Sequence, residues 1–281
     1  MTNYFAELAW LGLKRSPVIA VLSIVILAFG ISGFVVTLGI LQGLSADPLP
    51  GKSGRLFNVQ LDAGPRDAGF VPGSPPMLQL TRHDAEELLK DARAKRQVMM
   101  TGGAAPVVPD GDMAPFIARG RWTTADFFKM FDAPFLFGSG WSGAEDGARA
   151  PVAVISAKLN DQLFGGADSR GKLLNVRGNS LRIIGVLAPW RPVPHFFDLT
   201  TGAYQDAADL FVPFATAIDY EFATAGKFSC WAPVAPRESR GLAAPCTWIQ
   251  YWVELDDAAA AKQYKAYLAK YSDDQRGNGR F

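Results

Sequence analysis

Residues 151–187 read "PVAVISAKLNDQLFGGADSRGKLLNVRGNSLRIIGVL", and the order of elements inside them decides between two folds. Gly166 and the pair Gly171-Lys172 stand at the G-x-x-x-x-G-K spacing of a phosphate-binding loop. That loop requires a buried strand before it, a helix after it, and a Ser or Thr behind the lysine to hold Mg²⁺. Position 173 is Leu. "PVAVIS" predicts a short apolar strand, after which Leu159, Leu163 and Phe164 fall at helical spacing behind Ser156 as N-cap. Two glycines stop that helix, and "LLNVRGNSLRIIGVL" predicts a hairpin turning at Gly178-Asn179. The glycines therefore sit between a helix and a strand, the reverse of what phosphate binding needs. A helix stop followed by a turn accounts for every residue.

The same alternation of strands, caps and loops extends to both sides. Leu56, Phe57, Val59 and Leu61 predict a strand after a Pro/Gly linker. Thr81 and Asp84 form a capping-box arrangement ahead of a helix with Ala85, Leu88, Leu89 and Ala92 on one face. Thr123 with Asp126 predicts a second cap, leading Phe127, Phe128 and Phe131 inward. Near the end, "CTWIQYWVEL" places Ile249, Tyr251, Val253 and Leu255 on one strand face and Trp248, Gln250, Trp252 and Glu254 on the other. A last helix follows Asp256-Asp257, whose charges suit its positive end. Strands and helices interleave with long loops, so this part of the chain reads as α+β.

At the front, Ser16 to Ala46 contains no charged residue. About 20 apolar residues cross a bilayer core, so the run reads as a transmembrane helix. A cleaved signal peptide is the competing reading, but its apolar region should be about 7 to 15 residues long and end at a small-x-small site. Leu44-Ser45-Ala46 matches such a site poorly. Lys14 and Arg15 precede the run and Asp47 is the first charge after it, which puts the N-terminus in the cytoplasm. Residues 1–15 read as a cytoplasmic or interfacial segment. Gly39 and Gly43 stand at GxxxG spacing, and Ala28 and Ser32 repeat the small-xxx-small pattern, as expected of a helix-packing face. Glycine is also simply frequent in membrane helices.

The chain has 281 residues, 49% of them hydrophobic, enough to enclose a sizeable core. Its 28 basic and 27 acidic residues give a net charge of +1, which leaves nucleic acid without an electrostatic case as a partner. The two cysteines, Cys230 and Cys246, lie beyond the membrane run, where an oxidising compartment would pair them across a Pro/Gly-rich loop. Closing a loop of this size stabilises by about 3 kcal/mol. Two unpaired buried thiols remain the alternative, since spacing alone does not bring two backbones within bridging distance. His83 and His195 are the only histidines, and neither stands at ligand spacing to the cysteines, so no metal site is expected.

From Thr123 to Leu187 the pieces occur in a fixed order: "ADFFKMF", a short apolar segment, "PVAVIS", a helix ending "FGG", a turn with Gly171-Lys172, and a hairpin ending "IIGV". This series resembles the periplasmic core domain of MacB-like and FtsX-like ABC transporter permeases, and the preceding membrane helix agrees with it. Ser169 stands where that family usually has proline, which would loosen the turn. The resemblance implies a transmembrane helix over 16–46, a periplasmic core domain of two subdomains over 47–271, and a tail over 272–281 leading to further membrane helices absent from this chain. It implies a bacterial inner-membrane location, a second permease subunit and an ABC ATPase subunit as partners, and admits a periplasmic adaptor protein. ATP is expected on the separate ATPase, with no cofactor and no catalytic residue in this chain.

Two other classes compete with a permease part. A membrane-anchored periplasmic hydrolase would need a motif such as H-E-x-x-H or G-x-S-x-G, and neither occurs. Asp256-Asp257 and Asp273-Asp274 read as solvated helix ends, and His83 and His195 as surface or packing residues. A single-span sensor or scaffold would need no further membrane helices.

Overall fold

In the computed structural model, residues 10, 14–45, 47–64, 77–192, 195–202 and 204–280 are described. The chain divides into two units, Met1–Asp47 and Pro48–Phe281. The first is dominated by α1, Pro17–Ser45, a helix with no acidic or basic residue at either end. Its span Pro17–Gly43 is long and apolar enough to cross a membrane, and its most apolar window is not buried by the rest of the chain. Side chains such as Leu27, Phe29 and Phe34 stand exposed, a surface that lipid satisfies and water does not. Most of the expected interfacial segment 1–15 lies outside the described residues; Trp10, Lys14 and Arg15 are helical.

Among the described residues of the second unit, twelve strands form one mixed sheet. They are β1 Leu56–Asn58, β2 Leu80–Thr81, β3 Arg96–Val108, β4 Phe116–Thr123, β5 Phe135–Gly138 and β6 Val152–Ile155. The rest are β7 Leu173–Val176, β8 Asn179–Leu187, β9 Leu210–Pro213, β10 Ala223–Ala225, β11 Ser229–Cys230 and β12 Cys246–Glu254. The helices are α2 Arg82–Asp91, α3 Phe127–Met130, α4 Gly143–Gly147, α5 Ala157–Phe164, α6 Phe214–Asp219 and α7 Ala258–Gly277. The main path through the sheet runs β1-β12-β3-β4-β9-β6-β8-β5, with β4–β9 and β6–β8 parallel.

Strand β3 organises the unit. One of its edges is shared in turn, by β12 at residues 96–100 and by β10 at 102–104, while β4 pairs along the other at 100–107. Because side chains alternate across a strand, Met99, Ala105 and Val107 join one apolar cluster with Trp122, Tyr251, Leu88 of α2 and Tyr264 of α7. Val98 and Met100 join another with Phe127, Phe131, Phe197 and Trp252. Both faces are thus covered, and every residue of β12 is buried. The two clusters lie on opposite faces of one sheet, within the single compact unit Pro48–Phe281.

Several local expectations are met. Thr81 accepts a hydrogen bond from the Asp84 amide, Ser156 accepts one from the Leu159 amide, and Gly165 ends α5 in the left-handed conformation. The order α5, glycine turn, β7 is the one that rules out a phosphate loop. Other details differ. The hairpin turns at Arg177-Gly178, both with positive φ, while Asn179 already pairs with Val176 in the ladder. Thr123 does not cap α3: it closes β4, where it pairs with Met100, and Asp126 instead accepts from the Gln97 amide at 3.1 Å. Ser169 does not loosen its turn, because it is buried and donates to Asn160 Oδ1 at 2.6 Å. The segment 272–281 begins as a continuation of α7, which runs to Gly277.

Candidate functional site

The alternation in β3 and β4 leaves a gap over one face of the sheet. Gly102 stands opposite Arg121 and Ala104 opposite Arg119, and Arg121 pairs in turn with Phe211 of β9. Two large polar side chains therefore rise beside two positions with almost no side chain. The segment carrying Trp190, Pro192, His195, Phe197 and Asp198 covers them and encloses a cavity of about 260 Å³. The closeness of this cover shows at Gly102, where a Cβ would come within 2.8 Å of Thr201 Cγ2.

Asp198 is the hub of the cover. Its Oδ1 accepts from the Thr200 amide and hydroxyl, the Thr201 amide at 3.1 Å and Gln250 Nε2 at 3.1 Å. Its Oδ2 accepts from Arg121 Nη2 and the Thr201 hydroxyl. Burial alone would raise the Asp198 carboxyl, but Arg121 and these donors outweigh it and hold the group well below the usual carboxylate range. Gln250 of β12 also accepts from the Leu199 amide at 2.9 Å, tying the cover to the sheet on the other side of β3. Arg121 packs on the Phe197 ring, which stacks on Trp190 with centroids 5.4 Å apart. Arg121 is 5% exposed, yet its Nε and Nη1 have no hydrogen-bond partner among the described residues. His195, 6% exposed, likewise has Nε2 without a partner among the described residues, and burial lowers its pKa.

None of these residues was singled out for chemistry in the sequence. His195 reads there as a surface or packing residue and is in fact buried in the cavity wall. The only trace of the site is "GGAA" in one strand facing "RGR" in the next, and alternating arginines ordinarily mark a solvated face. Cys230 and Cys246 stand directly opposite in the β11–β12 ladder and are joined in a disulfide. Gly39 and Gly43 have nothing within 4 Å of where a Cβ would stand, and Ala28 and Ser32 are exposed on the same helix. No cluster of metal-binding side chains occurs among the described residues.

Residues 20–271 match the family of MacB-like periplasmic core domains. The chain belongs to that family. No curated protein matches it by sequence. Among solved structures it is similar to the periplasmic region of MacB from Actinobacillus actinomycetemcomitans, with 13% identity, TM-score 0.49, and coverage of 80% of this chain and 88% of that one. It is also similar to the extracellular domain of the noncanonic ABC-type transporter YknZ from Gram-positive bacteria, at 14% identity and TM-score 0.45, covering 71% and 85%. A domain of a putative permease protein from Porphyromonas gingivalis follows at 16% identity and TM-score 0.40, covering 66% and 68%. The family match spans most of α1 as well as the sheet domain. Such core domains are components of ABC transporter permease-type proteins.

Proposed function

We propose that this MacB-like chain anchors a periplasmic domain to the inner membrane and passes ATPase-driven movement to it, as part of a permease for export or mechanical signalling. The observation that supports this most is the family match running without a break from the apolar helix into the domain. In this reading the N-terminus is cytoplasmic, on the side of Lys14 and Arg15, and the domain is periplasmic. The partners are an ABC ATPase subunit and a second permease subunit, which meets α1 through the small residues Ala28, Ser32, Gly39 and Gly43.

The test is to extract the protein in detergent from the membrane of its own host and follow amide hydrogen exchange of residues 48–281. An ATPase should co-purify, and ATP should change exchange in the domain relative to the nucleotide-free state. Absence of any ATPase together with exchange indifferent to ATP would sink the proposal and favour a single-span sensor or scaffold.

A further inference from the structure

The charged groups lining the cavity balance, but their hydrogen bonding does not. Arg119 and Arg121 line it with Asp198 and Asp206. Asp206 is shared by Arg119 at 3.5 Å and Arg191 at 3.8 Å, and Asp198 is saturated by the donors already described. Arg121 spends only Nη2 on Asp198. Buried polar groups are paired in nearly all native structures, so the two idle nitrogens of a buried guanidinium call for an acceptor. His195 brings a third idle nitrogen to the same cavity. Apart from Thr201 and Gln205, the remaining lining is apolar: Trp190, Phe197 and Phe211 form an aromatic wall, and Gly102 and Ala104 keep the floor low.

We propose that this cavity is a binding site for a small organic carboxylate, its charged end against Arg121 and its apolar body along Phe197 and Phe211. The volume, about 260 Å³, lies just below the usual range of small-molecule pockets, which limits the ligand to a compact acid. His195 contributes a further hydrogen bond through Nε2. An inorganic anion would satisfy Arg121 but leave the aromatic wall empty, and a neutral apolar molecule would leave the guanidinium unpaired. The site is separate from any coupling to an ATPase and is tested without one.

The full chain in detergent is titrated with benzoate and hexanoate, and in parallel with benzyl alcohol, hexanol and inorganic phosphate, reading the thermal midpoint and heat of binding. Saturable binding of a carboxylate, at least about tenfold tighter than its alcohol, is the expected result, since a hydrogen-bonded charge contributes on that scale. Arg121→Gln alone strands Asp198, so it is made together with Asp198→Asn, and this double variant should lose that preference. Ala104→Leu leaves every charge in place and fills the floor, and it should abolish binding while keeping the fold. No saturable carboxylate binding, equal binding of the alcohols, tighter binding of phosphate, or unchanged binding in Ala104→Leu would each overturn the proposal.

Discussion

Asp198 is a buried carboxylate and Asp146 a half-buried one, and their surroundings drive them in opposite directions. Asp198 has a guanidinium beside it, so the stability it contributes is present above the ordinary carboxylate range and is lost as pH falls. Asp146 has no such partner. Burial pushes it up to about 6 from 3.8, against the Ala125 amide at 2.6 Å and Trp141 Nε1 at 2.7 Å, while Asp126 and Glu145 add like charge. Between those two values the folded state holds more protons than the unfolded one. The contribution of Asp146 is therefore full below pH 3.8 and is lost as pH rises through about 6. Wild type should accordingly gain stability relative to Asp146→Asn as the buffer is taken from about pH 7 to about pH 5. Paired thermal melts check this, and a difference that stays constant across the window would refute it. Nothing in "SGAEDGARA" distinguishes Asp146 from Glu145 beside it; its desolvation comes with the contacts to Trp141 and to the Ala125 amide in the β4–α3 turn.

Elements whose signals are local follow from the sequence closely. Ser156, Thr81 and Asp257 cap their helices because a short side-chain oxygen reaches an amide within the same turn, whatever the rest of the chain does. Thr123 fails as a cap because pairing with Met100 commits its backbone to β4 first. The β12 pattern holds for Ile249, Tyr251 and Val253 on one face and Trp252 on the other. Trp248 departs from it: the register against β2 shifts between Thr247 and Ile249, and the extra residue turns Trp248 to the side of Ile249, where it stacks on Phe214. The disulfide belongs to this scale as well. Strand β11 has only two residues, and the bond to buried Cys246 holds it to β12. Replacing both cysteines by serine should cost about 2–4 kcal/mol and open residues 231–245 to proteolysis. Urea denaturation and limited digestion measure both, and neither should respond to reductant in the double variant. A wild-type protein equally indifferent to reductant would show that the bond does not form in the native protein.

For the whole molecule, the arrangement of α5, turn and β7 predicts that the purified chain does not bind ATP. Lys172 lies over the Phe164 ring, 4.6 Å from its centroid, and does not point at a phosphate site. Lys172→Ala should cost no more than about 0.5–1 kcal/mol, the worth of an exposed cation–π contact. Equilibrium binding of labelled ATP checks the first claim, and saturable binding lost in Lys172→Ala would contradict it. What the sequence determined alone is whatever depends on neighbours a few residues apart: the apolar run long enough for a bilayer, the helix caps, the glycine stop, the hairpin, and the ordered series that marks the family. The tertiary structure alone decided where distant residues meet. Strand β3 was not foreseen, because burial on both faces erases the alternation that identifies a strand. The cavity was not foreseen because Arg121, Asp198 and Gln250 come from three separate parts of the chain. Only the pairing of β3 with both β4 and β12 brings them onto one face of the sheet, where burial turns ordinary surface residues into a charged site.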